Sequence, residues 1–395
     1  MWGRARGRDG DGTSVRRVLF VTGTRADFGK LKPLIHQVAG LDGFDYQIFA
    51  TGMHMLARYG STITEIYRSG FEDRVYPFVN QDASVNTQMD LVLANTVQGL
   101  GHFAREYRPD LIVLHGDRIE TLAGAIVGAL GNTLVAHVEG GELSGTVDEL
   151  IRHAVSKLAH LHFVANEDAR ARLLQMGERC ESIFVIGSPD IDVMLSDDLP
   201  PLEAVRSRYE IPFGRYGILM YHPVTTELDR LAHHVAQVVA GVERSGRNFV
   251  VVYPNNDTGS DAVLAAVAPL EGRPGFRLLP SMRFEYFLTL LRHADVVVGN
   301  SSSGIREAPV YGVPTVNIGT RQSNRYSYPS IVNVPEDADA IAGALDNLPR
   351  AVEPSLHFGN GGSAKLFAAQ LMESRLWETP RQKQFVDVTA TVGAP

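Results

Sequence analysis

Acidic and basic side chains stand just after apolar runs throughout this sequence. Leu111-Ile-Val-Leu114 runs into His115-Gly-Asp117-Arg118, and Thr133-Leu-Val-Ala-His-Val138 runs into Glu139-Gly-Gly-Glu142. Asp148-Glu149 follows, with Arg152 four residues beyond Asp148. Clustered carboxylates are the groups that move protons, and a guanidinium stabilises an anion. The second half supplies a different chemistry. His222 begins His-Pro-Val-Thr225, and Asn255 and Asp257 follow Tyr253-Pro254. Gly299-Asn-Ser301-Ser302-Ser303-Gly304 precedes Arg306 and Glu307, and Gly319-Thr-Arg321-Gln322 adds a cation. Small residues after a strand let backbone N–H groups approach a phosphate, while serines add hydroxyl donors and a helix start favours negative charge. The loop lacks the Gly-Lys-[Ser/Thr] ending of a Walker A motif. Glu307 is expected one turn into the following helix, where a carboxylate can accept bonds from ribose hydroxyls.

Each piece has an ordinary reading too. A Gly-rich turn is often only a turn, and Asp117 with Arg118 can be a structural ion pair. Asp148 and Arg152, at i,i+4, can simply stabilise a helix. Glu142 and Glu149 read as solvated or helix-start charges. Glu139 is harder to set aside, because an unpaired buried carboxylate is strongly unfavourable. His153, His160 and His162 have neither His-Glu-x-x-His nor Cys/His spacing, so no metal is expected.

The elements that must position these groups alternate. Arg16–Val21, 44–49, 111–114, 133–138, 161–165 and 182–186 read as strands. Between them lie helical stretches near 30–38, 85–107, 122–130, 147–159 and 168–176. Strands alternating with helices predict a doubly wound parallel sheet, whose carboxyl strand ends face the ligand crevice. Ser196-Asp-Asp-Leu-Pro-Pro201 is the best linker signal, and the pattern restarts with strands near 217–221, 249–253, 276–279, 295–298 and 315–318. The expected division is a leader over 1–15, a first domain over 16–195, a second over 207–362 and a tail over 378–395.

Composition sets outer bounds. The chain has 395 residues, 44% hydrophobic and 21% charged, as ordinary globular proteins do. Its formal net charge of −8 argues against a nucleic-acid partner. No apolar run reaches the ~18 residues that span a bilayer, so no membrane partner is expected. A single cysteine, Cys180, excludes an intrachain disulfide. The Gly/Arg/Asp-rich start lacks a signal-peptide core and reads as disordered. Together these features predict a cytoplasmic protein.

With these residues in view, the chain resembles the UDP-N-acetylglucosamine 2-epimerase family, and specifically its hydrolysing, sialic-acid-pathway branch. The resemblance runs from about Val18 to Leu366. It rests on Thr22-Gly-Thr-Arg-Ala-Asp-Phe28, His115-Gly-Asp-Arg118, His137-Val-Glu-Gly-Gly-Glu-Leu-Ser-Gly-Thr146, Asp148-x-x-x-Arg152-His153, His222-Pro-Val-Thr225, Gly299-Asn-Ser-Ser and Gly319-Thr-Arg-Gln322. Arg25-Ala-Asp27 and Glu139-Gly-Gly-Glu142 replace the Arg-Pro-Glu and Glu-Ala-Gly of non-hydrolysing relatives. Gly29 stands where the animal enzymes carry Ser. The resemblance implies a GT-B-like α/β fold, two Rossmann-like domains facing across a cleft, with a C-terminal helix over 363–377 crossing back to the first domain. It implies a UDP-sugar substrate, no cofactor, and a homo-oligomer, dimer or tetramer.

It also implies a reaction. UDP leaves C1 as the C2 proton is removed, 2-acetamidoglucal forms, and water adds to give N-acetylmannosamine. Arg25, Ser301 and Ser302 would hold the diphosphate, with Arg118 and Arg321 as helpers. Asp117, Glu139 and Asp148 would divide the proton transfers, and which of them is the elimination base stays open. His222 would support the leaving group and Glu307 the ribose. Asp27, Arg152 and Asn255 complete the expected binding set. A sister activity on UDP-2,4-diacetamido-2,4,6-trideoxyglucose, a GT-B glycosyltransferase, a non-hydrolysing epimerase and a non-catalytic nucleotide-sugar sensor are the alternatives.

Overall fold

In the computed structural model of the chain, the residues described are 15–81, 88–144, 147–254, 257–350, 352–384 and 386–387. Short, mostly apolar runs build two sheets. The first holds β1 (Arg16–Thr22), β2 (Phe44–Ala50), β3 (Val75–Pro77), β4 (Leu111–His115), β5 (Leu134–Val138), β6 (Leu161–Val164) and β7 (Ile183–Val185). The second holds β8 (Gly217–Met220), β9 (Phe249–Val252), β10 (Phe276–Leu279), β11 (Val296–Gly299), β12 (Thr315–Ile318) and β13 (Ile331–Val334). Their orders are β3-β2-β1-β4-β5-β6-β7 and β10-β9-β8-β11-β12-β13. Every pairing is parallel. Helices cover both faces, which is why β4, β5 and β8 are buried at every position.

Strand order reverses between β1 and β4 in one sheet and between β8 and β11 in the other. Ligand crevices form at such switch points, outside the carboxyl ends of the strands. Here those ends deliver Arg25, Asp117, His222 and Ser301. Register makes the delivery accurate. His115 pairs with Val138 and Met220 with Gly299, so Asp117 and Glu139, and likewise His222 and Ser301, emerge side by side. Gly299, at φ 125, lies so close to β8 that a Cβ there would sit 1.9 Å from the Met220 carbonyl oxygen. Only glycine fits.

The chain crosses between the halves twice, at one place. Ile186 belongs to the first core, whereas Ile191 and Met194 of the helix Pro189–Met194 pack in the second. This helix, inside the first domain expected to end at residue 195, thus spans the junction: Ile191 and Met194 find apolar partners in the second core, while Asp190 meets Lys30 of the first half. The return is the helix Ser363–Met372, whose Phe367 and Leu371 enter the first core, with Phe367 against Phe163. Asp192 caps that helix, accepting N–H bonds from Gly362, Ser363 and Ala364 at 2.8–2.9 Å.

Local differences from expectation have local causes. The first helix runs from Arg25 to Ala39 and starts earlier than residue 30. Thr24 and Asp27 form a reciprocal capping box that fixes its start at Arg25. The helix after the serine loop is a single turn, Ser303–Arg306, so Glu307 lies at its end. No helix among the described residues is long and apolar enough to cross a membrane.

Candidate functional site

The two sets of strand ends enclose one cavity. Among the described residues its lining includes Arg25, Asp27, Asp117, Arg118, Glu139, Asp148, Arg152, His222, Ser301, Ser302, Glu307 and Arg321. Asn255 lies outside the described residues. One side of the cavity is apolar, formed by Val252, Tyr253, Pro254, Met282, Phe284 and Phe287. The opposite side is a buried network of charges.

Asp117 pairs with Arg152. Burial would raise the Asp117 carboxyl, but Arg152, then Arg325, Arg118 and Arg321, outweigh it and hold it below the ordinary range. Asp148 behaves oppositely. Burial, then the neighbouring Asp117 charge, raises it, although Arg321 Nη2 lies 3.0 Å from its Oδ2. The two carboxyls are therefore pushed apart, one below the ordinary range and the other above it. That division is how a pair of acids takes opposite roles.

Glu139 ends β5 with φ 63, a left-handed conformation that non-glycine residues seldom adopt. The surroundings hold it there. Arg152 Nη1 donates to its carbonyl at 2.8 Å, and Arg306 Nη2 reaches its carboxylate at 2.7 Å. Ser188 donates to the same oxygen, and His115 Nε2 lies 3.1 Å from the other. Burial opposes ionisation, but Arg306, Lys30 and His115 prevail and keep this carboxyl well below its usual range. Backbone strain of this kind persists where the environment over-determines it, often at functional sites.

The second half contributes neutral donors and cations. His222 exchanges both backbone bonds with the Asn300 amide, at 2.7 and 2.8 Å. Burial, reinforced by Arg321, lowers its imidazole to about 3, so the ring is neutral near pH 7. Arg321 and Gln322 both donate to the Asn300 carbonyl, at 3.2 and 2.9 Å. Arg118 pairs with Asp257 at 2.9 Å across the cleft. Arg25 bonds Ser281 at 2.9 Å and pairs with Glu65 at 3.3 Å. Burial, partly offset by Lys30, raises the Glu307 carboxyl, and its Oε2 accepts no hydrogen bond among the described residues.

Two expectations change here, and Asp27 gains a structural role. Asp27 reaches the cavity wall, and its oxygens accept from Gly23 N, Thr24 N and Thr22 Oγ1, so its carboxylate builds the turn. Arg152 stabilises Asp117 and the Glu139 carbonyl, not Asp148, because it points inward from its helix. Glu142 is no solvated charge: it is buried and pairs with Arg306. The sequence reading also missed Lys30, whose buried ammonium lies 3.0 Å from Asp190 and 3.3 Å from Glu307. A lysine on the apolar face of the first helix was the available signal. Arg325, four residues after Arg321, was a second. The three histidines of the expected non-metal set lie apart in their contacts. His162 meets Glu178, His160 bonds the Val135 N–H, and His153 sits near Glu149. Glu227, His234 and Glu336 bring one ligand atom each within 4.8 Å of one another, but none lines the cavity.

Two parallel Rossmann-like sheets with a charged cavity at their facing switch points define a GT-B-like protein. Comparison with known proteins gives the family. The model of the UDP-N-acetylglucosamine 2-epimerase family matches residues 36–372. A UDP-N-acetylglucosamine 2-epimerase of Neisseria meningitidis serogroup B is 46% identical over 95% of this chain and 100% of its own. A UDP-N,N'-diacetylbacillosamine 2-epimerase (hydrolyzing) of Legionella pneumophila is 34% identical over 88% and 92%. The same fold occurs in the Methanocaldococcus jannaschii UDP-GlcNAc 2-epimerase solved with UDP-GlcNAc and UDP, at TM-score 0.76 and 19% identity over 90% of this chain and 99% of that one. The chain belongs to the UDP-N-acetylglucosamine 2-epimerase family and is an enzyme of that family.

Proposed function

We propose that the protein is a hydrolysing UDP-N-acetylglucosamine 2-epimerase, converting UDP-N-acetylglucosamine and water to UDP and N-acetylmannosamine, a precursor of sialic-acid-type sugars. The observation that carries this reading is the Asp117–Asp148 pair. Both line one cavity with the serine loop and the arginines; Arg152 pairs with Asp117 and Arg321 with Asp148, and the surroundings lower the first carboxyl and raise the second. The C2 proton of the sugar is not acidic, so C1–O cleavage must run with its removal. Arg25, Arg321 and Arg118, with the hydroxyls of Ser301 and Ser302, take the charge that gathers on the diphosphate. Neutral His222 supports the leaving phosphate oxygen as a hydrogen-bond donor. The apolar wall from Met282 to Phe287 receives the base, and Glu307, with an unfilled oxygen, receives the ribose.

Asp117 removes the C2 proton, giving 2-acetamidoglucal and UDP. Asp148 serves hydration, in which C2 gains a proton on the opposite face and water adds at C1. Glu139 contributes to elimination by fixing His115 and Arg306 around the sugar. The hydrolytic route is supported by Glu139-Gly-Gly-Glu142 and by the hydrolyzing Legionella relative. That relative's name also favours a second reading, the 2,4-diacetamido-2,4,6-trideoxy analogue of the same substrate. Incubation with each UDP-sugar, without acceptor, separates them. The expected result is UDP with N-acetylmannosamine from UDP-N-acetylglucosamine. Turnover of the trideoxy substrate alone would select the second reading, and UDP-N-acetylmannosamine as product would reject hydrolysis. The same reading makes the protein a cytoplasmic homo-oligomer; sedimentation of the full chain tests the oligomer, and cell fractionation tests the location.

A further inference from the structure

A second cavity adjoins the first. It encloses about 240 Å³. Glu142, Arg306 and Arg325 line both cavities and so form the wall between them. On its other side the second cavity reaches solvent at Asp168, Asn324 and Ser327, which are exposed. Asn166, Arg172 and His357 form its sides. It is a recess open to solvent on one side and separated from the reaction cavity by one carboxylate and two guanidinium groups.

The chemistry of the wall indicates what fits. Glu142 is 6% exposed, and Arg306 holds its Oε2. Its Oε1 accepts no hydrogen bond among the described residues. A buried carboxylate oxygen without a donor is destabilising, and a hydroxyl or amide N–H reaching it would relieve that. The sides present further polar groups: the Asn166 amide bonds His357 at 3.0 Å, and Arg172 donates to the Gly141 carbonyl at 3.2 Å. Tyr326 and His357 stack at 4.2 Å, giving one rigid flank. Carboxylates, guanidinium groups and the side-chain amides of Asn166 and Asn324 line the space, and it lacks the broad apolar side that the first cavity offers a base. Such a site suits a neutral, polyhydroxylated amide, not a nucleotide.

We propose that this second cavity holds the neutral N-acetylated monosaccharide after its release from UDP and is its way out. The inference rests on the function proposed above. In that reading the nucleotide occupies the serine-loop and apolar sides of the first cavity, and the sugar lies at the carboxylates, next to the wall. A sugar formed there with UDP still bound would have to pass the nucleotide to leave by the cleft. Movement of the Glu142–Arg306 pair and Arg325 opens a shorter path.

The test is binding of N-acetylmannosamine to the full chain saturated with UDP, read by saturation-transfer NMR and titration calorimetry. UDP-loaded wild type should bind the sugar. Arg172→Ala should weaken that binding about tenfold, the loss of roughly one good hydrogen bond, and Ser327→Trp, which fills the rim, should weaken it by exclusion, both with UDP affinity unchanged. If Ser327→Trp fails to fold, Arg172→Ala decides. No sugar binding to UDP-loaded wild type, or wild-type affinity in the folded variants, overturns the proposal. Turnover of UDP-N-acetylglucosamine is measured on the same sample. Turnover without sugar binding rejects only the second site, whereas sugar binding without turnover rejects the function and leaves the site.

Discussion

At the scale of single residues, the account turns on two carboxyls whose surroundings oppose one another. Asp117 faces four arginines, while Asp148 faces the Asp117 charge, with Arg321 Nη2 3.0 Å from its Oδ2. Asp117→Asn should stop UDP release while leaving UDP affinity nearly intact. Asp148→Asn should still release UDP but let 2-acetamidoglucal escape. Each should lower formation of the manno sugar by about 10²–10⁴-fold, the usual contribution of a general acid or base. Quantifying UDP, glycal and sugar by NMR checks both, and near-normal turnover in both variants would remove the assignment. Asp117 and Glu139 were visible in the sequence because acidic residues end apolar runs there. Lys30 and Arg306 were not, because their partners lie far along the chain: Lys30 meets Asp190 and Glu307, and Arg306 meets Glu139 and Glu142. No local pattern encodes a pairing made across folded halves.

At the scale of elements, loops are held in place by polar pins. His137 on β5 lies between Ser156 Oγ, at 3.1 Å, and the Gly116 carbonyl, at 2.8 Å. It ties β5 to the turn that carries Asp117. Burial lowers its imidazole from 6.5 to about 3. The unfolded chain therefore takes up a proton first as pH falls, so the stabilisation is complete above pH 6.5 and is lost from there toward about 3. Between pH 7 and 5, wild type should lose about 2 kcal/mol more stability through this ring than His137→Gln, at about 1.4 kcal/mol per unit below the unfolded value. Denaturant titrations at the two pH values measure it, and equal losses would show that the ring is not buried neutral. The first helix offers a second case. Thr24 accepts from Asp27 N, and the Asp27 carboxylate accepts in turn from Gly23 N and Thr24 N. Thr24→Ala should lower stability by about 1 kcal/mol and weaken UDP binding through the displaced Arg25. An unchanged denaturation midpoint would contradict the capping role. The central strands were legible because three or more apolar residues, several of them β-branched, run together, as in Leu111-Ile-Val-Leu114 and Val296-Val-Val298. β3 and β13 were not. They are edge strands, three and four residues long, with exposed positions such as Tyr76 and Asn333 that break the apolar run.

At the scale of the whole molecule, the halves meet through ion pairs at the ligand's expected place. Arg118–Asp257, Arg321–Asp148 and Lys30–Glu307 all cross the cleft. A diphosphate would take Arg118 and Arg321 from their carboxylates, exchanging one set of bridges for another, so closure should depend on the nucleotide. UDP should then protect both the Gly299–Gly304 loop and the turn at Arg25 from hydrogen exchange, and protection on one side only would contradict a shared site. The two-sheet architecture was readable from the alternation of strands and helices. The changeover at Pro189–Met194 was not, because what decides it is which core Ile191 and Met194 enter. The central claim is that this cleft inverts C2 by elimination and hydration, and one measurement addresses it directly. The protein is given UDP-N-acetylglucosamine in D2O, and the products are read by NMR. The account predicts free UDP and N-acetylmannosamine carrying deuterium at C2. A released sugar that keeps the gluco configuration, or a manno sugar with protium at C2, would contradict it.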